Sequence, residues 1–275
     1  MTWTGETHLQ ILVVGSVAYD TVETPAGKSE SQLGGSACYF STSASYFTDV
    51  GLIGVVGKDF DPDDLDMLRQ HGIDTSGLIE ADGKTFRWSG EYMEDINTAV
   101  TLDTQLNVFG GFDPELCDAH SNTPYLFLAN IDPTIQIKVL DSMSEKPKMV
   151  ACDTMNLWID MARPALSDLI CRIDILIINE DEAKQLTGEE NLARAAHAIL
   201  DLGPSSAIIK RGEYGVALFG DDFSFAAPAY PLDQVIDPTG AGDSFAGGFM
   251  GYLASVDRID QDALRTASIA GSTMA

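Results

Sequence analysis

The residues best suited to chemistry lie near the end of the chain, in Val235-Ile-Asp-Pro-Thr-Gly-Ala-Gly-Asp-Ser-Phe-Ala-Gly-Gly-Phe249. The stretch begins as a strand end, passes through small residues and turns into an apolar, glycine-rich helix. Gly240, Ala241 and Gly242 carry so little side chain that backbone N–H groups can approach an anion closely, and the helix dipole adds about half a positive charge at that end. Such a turn stabilises the charge that develops on a transferring phosphoryl group. Asp243 heads the same helix, where the dipole favours an ionised carboxylate able to take a proton from a hydroxyl. The simpler reading is a helix cap, worth about 0.5–2 kcal/mol, with glycines that only shape a turn. A cap does not require two glycines around an alanine before the acid, so base plus anion hole is the stronger expectation.

Such a turn has to be held by a sheet. Short apolar runs recur at 11–14, 52–56, 125–129, 149–152, 175–178 and 207–209, each reading as a strand buried on both faces. Helical segments fall between or after them at about 34–47, 62–71, 133–143, 158–171, 191–202, 242–255 and 260–274, one opening on Asp61-Pro62. Strands alternating with helices predict a three-layer αβα fold on a mostly parallel central sheet. Residues 18–33 and 85–104 break the rhythm with alternating β-formers and polar turns, and read as a small β lid inserted in a single domain spanning 1–275. The last run, Thr266 to Ala275, has no cap or closing strand, so the C-terminus reads as incomplete.

Composition narrows the partners. The chain has 275 residues, 45% of them hydrophobic, enough for a large buried core, and no apolar run approaches a membrane span. The start, Met-Thr-Trp-Thr-Gly-Glu-Thr-His8, has no basic flank of a signal peptide, and a cytoplasmic protein is expected. A net charge of −26 disfavours nucleic acid and raises the expectation of adaptation to a salty cytoplasm, Asp outnumbering Glu and lysines being few. Cys38, Cys117, Cys152 and Cys171 are far apart, three of them in apolar surroundings, which suits reduced core thiols. His8, His71, His120 and His197 show no spacing for a shared metal, so any metal should be held by oxygen.

The Asp237-Pro-Thr-Gly-Ala-Gly-Asp-Ser-Phe245 stretch closely resembles the C-terminal signature of the ribokinase-like carbohydrate kinases, the PfkB family, and other segments match in the same order over nearly the whole chain. The resemblance implies ATP-dependent, magnesium-dependent transfer of the γ-phosphate to a hydroxyl, by expectation a primary one, of a sugar, with a nucleoside as the alternative acceptor. It implies Asp243 as the base, Gly240 to Asp243 as the anion hole, and Asp237 with Thr239 at the place where many members bind a monovalent cation such as K+. Gly34-Gly35 resembles the glycine pair beneath the sugar, and Asp20 the acid that binds sugar hydroxyls; a carboxylate accepts two such bonds at once. Where the family often has an asparagine contacting substrate, this chain has Tyr39, which leaves the acceptor open. Asn179-Glu-Asp-Glu182 resembles the Asn-x-x-Glu motif that orders magnesium-bound water around the phosphates, and is equally close to a capping box. Lys210-Arg-Gly-Glu-Tyr-Gly215 resembles the segment bordering ATP, with Lys210 toward the nucleotide and Gly212 and Gly215 as scaffold. In the lid, Arg87, Trp88 and Tyr92 could face substrate, although alternation does not say which face is inward.

Other readings are weaker. Gly54-Val-Val-Gly-Lys-Asp59 lacks the spacing of a P-loop, and Gly15-Ser-Val-Ala-Tyr-Asp20 lacks the dinucleotide glycine pattern. Ser244 as a hydrolase nucleophile needs a histidine base, and no histidine follows residue 197. A catalytically silent sugar-binding protein would not need Asp243 with both glycines. Lid edges can pair between subunits, so a homodimer is expected.

Overall fold

The computed structural model describes residues 9–93 and 99–275. The N-terminal segment that includes His8, and residues 94–98 of the expected lid, lie outside the described residues. Among the described residues thirteen strands and ten α-helices follow one another: β1 (Ile11–Val14), β2 (Ala18–Thr24), β3 (Gly27–Gly34), α1 (Ser36–Ala44), β4 (Val50–Gly57), α2 (Pro62–Gln70), β5 (Asp74–Ala81), β6 (Phe86–Tyr92), β7 (Ala99–Gln105), α3 (Asp118–Ser121), β8 (Tyr125–Leu128), α4 (Pro133–Asp141), β9 (Met149–Asp153), α5 (Asn156–Met161), α6 (Arg163–Ile170), β10 (Ile175–Asn179), α7 (Glu180–Thr187), α8 (Leu192–Leu200), β11 (Ser206–Lys210), β12 (Val216–Gly220), β13 (Ser224–Ala227), α9 (Ala241–Val256) and α10 (Gln261–Met274).

The continuous apolar runs form a nine-stranded sheet in the order β13-β12-β11-β10-β9-β8-β1-β4-β5. Every pair from β11 to β5 is parallel, and β12 and β13 continue the β11 edge antiparallel. Side chains alternate across a strand, so Ile11 and Val13 pack with Phe40, Phe127 and Phe249 on the face covered by α1, α9 and α10. Leu12 and Val14 pack with Val139, Leu169, Leu186 and Ile199 on the other face, under α4, α6, α7 and α8. These two cores and one sheet make the αβα sandwich. The helix expected over 158–171 is two helices, because Pro164 sits in the first turn of α6, where its missing N–H leaves no helical bond unmade. β5, β12, β13 and α3 were not anticipated, and α7 only through its capping box; β5 and β13 are half-exposed edges without long apolar runs.

A second sheet, in the order β3-β2-β6-β7, is built from residues 18–34 and 86–105. Parallel register sets Asp20 beside Trp88, and Tyr19 beside Arg87, so Asp20, Trp88 and Tyr92 share one face and Arg87 points to the other. Arg87 there meets Asp59 at 3.0 Å and Ser31 at 3.3 Å, with its guanidinium 5.2 Å from the Tyr19 ring centre. Of the four cysteines, only Cys38 and Cys152 are core thiols; Cys117 and Cys171 are exposed, the first at the start of α3 and the second just past the end of α6. No helix among the described residues is long and apolar enough to cross a membrane.

Candidate active site

Parallel strands end together, and this collects the site. Asp153, Asn179 and Lys210 are the last residues of β9, β10 and β11, and Asn179 pairs in register with Lys210. The Lys210 ammonium meets the buried Asp153 carboxylate at 3.1 Å. Burial pushes the Lys210 amine down, but Asp153, Glu182 and Asp243 around it more than reverse this and keep it protonated. Its neighbour Arg211 points elsewhere and is neutralised by Glu180 at 2.8 Å. Asn179 caps α7 by accepting from the Glu182 N–H at 2.8 Å, while a Glu182 carboxylate oxygen accepts from the Asn179 N–H at 2.8 Å. The capping box expected from the sequence is thus present, and Glu182 still has a second oxygen. Burial, then the nearby Asp153, raises Glu182 to about 7 against the pull of Lys210. Gly212 and Gly215 shape the turn between β11 and β12, where the Gly215 N–H donates to the Gly212 carbonyl at 3.0 Å.

The start of α9 packs directly against this lysine. A methyl group on Gly242 would lie 2.8 Å from Lys210 Nζ, so the ammonium abuts the first turn. Gly240 enters the helix at φ 77, a conformation that costs glycine nothing, and a side chain there would collide with the Tyr39 ring at 2.4 Å. The expected anion hole needs one correction. The Ala241 N–H donates to the Pro238 carbonyl at 3.1 Å, closing the turn, so in this conformation that amide is not offered to an anion. Gly242 and Asp243, in the first helical turn, have no intrahelical acceptor for their N–H groups.

Across from Lys210 lies the turn between β3 and α1. Gly35 has φ 94, and a side chain on it would strike the Ser16 carbonyl at 2.5 Å. Asp20 is buried with Oδ2 against Gly34, where a methyl would come within 2.0 Å. Burial raises Asp20 to about 6, with Asp237 adding to the rise, and hydrogen bonds from the Gly35 backbone and the Tyr39 hydroxyl resist it. Burial also pushes the Tyr39 phenol up, aided by the charges of Asp20, Asp237 and Asp243. Tyr92 reaches in from β6, where its hydroxyl accepts from Thr239 Oγ1 at 3.3 Å, and feels the same three carboxylates. Asp237 Oδ1 accepts from the Thr239 N–H at 2.9 Å, so the pair proposed for a monovalent cation is knitted into the loop before α9.

Asp243 sits between these two groups. The dipole alone would keep it ionised, yet burial, then Asp153, lift it to about 7, with Lys210 opposing and Asp20 adding. Desolvation therefore outweighs the helix end, and the group is poised near neutrality, where a general base works best. Asp153, Glu182 and Asp243 surround one ammonium, with Asp20 and Asp237 together on the other side of Asp243. Among the described residues no three acids converge as a metal-binding group, which suits a magnesium ion that keeps water and phosphate in its shell. Asp153 was missed in the sequence; the signal available was an acid closing the apolar run Met149–Cys152, which the register sets beside Ile177, two residues before Asn179.

Comparison with known proteins gives a consistent answer. Residues 8–275 match the model of the pfkB family carbohydrate kinase. A cytidine kinase from Thermococcus kodakarensis is 32% identical over 251 residues, covering 89% of this chain and 88% of the relative. Among solved structures, a ribokinase from Cryptococcus neoformans in complex with ADP superposes with a TM-score of 0.76 at 24% identity, covering 96% of this chain and 93% of that one. An E. coli protein described as a ribokinase II, in complex with ATP and Mg2+, gives a TM-score of 0.75 at 18% identity over 96% and 92% of the two chains.

Proposed function

The chain belongs to the pfkB family of carbohydrate kinases, and from that premise we propose that it transfers the γ-phosphate of ATP to the primary hydroxyl of a nucleoside, with Asp243 as base. The observation that carries the proposal is the position of Asp243, in the first turn of α9 between the buried Lys210 and Asp20. Asp20 and the Gly34-Gly35 turn orient the acceptor, whose hydroxyls find a carboxylate and exposed backbone. Asp243 takes the acceptor's hydroxyl proton as the hydroxyl oxygen attacks the γ-phosphorus and the bond to the bridging oxygen breaks to release ADP, and the Gly242 and Asp243 N–H groups with Lys210 receive the charge on the phosphoryl oxygens. Gly240 and Ala241 form the turn that presents them. Closure of the small sheet would exclude water from the site.

Magnesium bound with ATP supplies neutralisation of the phosphate charge, and Glu182 with Asn179 would hold it through water. The ATP and Mg2+ of the E. coli neighbour, and the ADP of the fungal ribokinase, support this nucleotide assignment. Asp237 and Thr239 are the place for a monovalent cation, to be tested by titrating KCl against NaCl at constant ionic strength.

Between the two acceptor classes the nucleoside is favoured over the free sugar. The cytidine kinase matches along 89% of this chain, and Trp88 and Tyr92 share the Asp20 face of the small sheet, an aromatic surface suited to a planar base. A homodimer would form through the open edges β3 and β7, the latter exposing Val100 and Leu102; sedimentation tests this. The deciding experiment for activity is ADP release measured across nucleosides, pentoses, hexoses and polyols. Cytidine or another nucleoside should give the highest kcat/KM, and turnover confined to free sugars would overturn the acceptor assignment.

A further inference from the structure

At the opposite end of the large sheet from the candidate active site, a thiol and a carboxylate meet on a buried imidazole. His120, in α3, is 2% exposed. Its Nδ1 lies 3.3 Å from Cys117 Sγ, and its Nε2 lies 3.3 Å from Ser76 Oγ and 3.5 Å from Asp74 Oδ2. The ring is wedged against β4 and β5, where methyl groups on Gly51 and Gly77 would meet it at 3.7 and 3.1 Å. Cys117 itself is exposed. Burial pushes the Asp74 carboxyl up, but hydrogen bonds from the Ser76 backbone and hydroxyl, with His120 alongside, hold it below the usual range. A carboxylate beside Nε2 keeps the proton on that nitrogen, which leaves the Nδ1 lone pair facing the thiol.

We propose that Cys117 is a modification site for low-molecular-weight disulfides, with His120 as proton acceptor and Asp74 and Ser76 as positioning residues. Nδ1 takes the thiol proton as the sulfur attacks one sulfur of the disulfide. The bond from Cys117 Sγ forms, the S–S bond of the reagent breaks, and the departing thiolate collects the proton from the imidazolium. The products are a mixed disulfide on Cys117 and one small thiol, with the disulfide as the oxidant. Asp118 follows Cys117 directly in the chain and Asp74 lies beyond the imidazole, so a cationic disulfide is favoured over an anionic one.

The other exposed thiol, Cys171, is an internal control: its Sγ donates to the Asp168 carbonyl at 3.1 Å, a contact that accepts no proton. Reaction with cystamine, followed by peptide mass mapping, yields a rate for each cysteine, divided by its rate in the urea-unfolded chain to remove sequence effects. Cys117 should react at least about tenfold faster than Cys171 on this scale. Asp74→Asn and His120→Gln should each slow Cys117 several-fold and leave Cys171 unchanged. Asp74 lies at the rim of β5, so its variant keeps the comparison decisive should the buried histidine variant not fold. A normalised Cys117 rate no greater than that of Cys171, or an unchanged Cys117 rate in folded Asp74→Asn, would overturn the proposal.

Discussion

The two halves of the candidate active site manage negative charge differently. On the nucleotide side, carboxylates are answered one by one: Asp153 by Lys210, Glu180 by Arg211, and Glu182 in part by the Asn179 N–H. On the acceptor side, Asp20 has hydrogen bonds from the Gly35 backbone and the Tyr39 hydroxyl, and Asp237 stands close enough to oppose its charge. Asp243 lies on the border and is pushed to about 7. One side is already paired, whereas the other, in the proposed reaction, would gain its donors from the hydroxyls of the acceptor.

The comparison can be broken first at its one ammonium. Lys210→Met leaves Asp153 buried without its cation and should lower unfolding stability by roughly 3–5 kcal/mol, read by urea denaturation; a loss below 1 kcal/mol would mean that the nucleotide side does not depend on that pair. Next, Asp243→Asn should keep the circular dichroism spectrum and ligand binding but lower kcat by at least about 10²-fold. Near-normal turnover in that variant would remove Asp243 from the chemistry. Asp20→Asn should then reduce kcat/KM for the acceptor about 10-fold while changing the KM for ATP less than about twofold. Equal effects on both substrates would erase the distinction between the halves.

The smallest effect is one of pH. Asp243 is raised in the folded state, so between its unfolded value, about 4, and its folded value, about 7, the native protein holds a proton that the unfolded chain releases. The resulting stabilisation is complete below the lower value and is lost as pH rises through the upper one. The unliganded protein should therefore lose stability from pH 5 to 8 more steeply than Asp243→Asn does, by an amount of the order of 1 kcal/mol in thermal or urea unfolding. Parallel curves would show that Asp243 titrates normally.

The same contrast explains what was legible in the sequence. Lys210 and Asn179 each stand at the end of an apolar strand run, and Glu182 follows Asn179 by three residues in α7, so strand pattern and local motif located them together. The capping box, for the same reason, was visible three residues apart. Asp153 obeys the rule too, but one acid after a short run carries no distinctive neighbour. The acceptor side depends on contacts far apart in the chain, such as the Tyr39 ring beneath Gly240 and Tyr92 against Thr239. Helix-dipole reasoning gave the wrong direction for Asp243, because burial and the carboxylates around it arise only on folding. From the sequence Arg87, Trp88 and Tyr92 were all candidates to face substrate, and the register of β2 with β6 sets the two aromatic rings, not the arginine, on the Asp20 face.

The contact between α1 and α9 has a consequence for how such a site can change. A methyl group on Gly247 would lie 2.3 Å from the Phe40 carbonyl, and one on Gly251 3.0 Å from the Ala44 Cα, so the two helices touch backbone to backbone. Ser43 adds a hydrogen bond of 2.6 Å to the Ser244 carbonyl. The helix that follows the Gly34–Gly35 turn and the helix that carries Asp243 are thus cut to one another like two faces of a mould. They are expected to behave as a single cassette: a graft of residues 34–44 from a relative will function when residues 240–251 come with it, and a graft of either alone will open the seam.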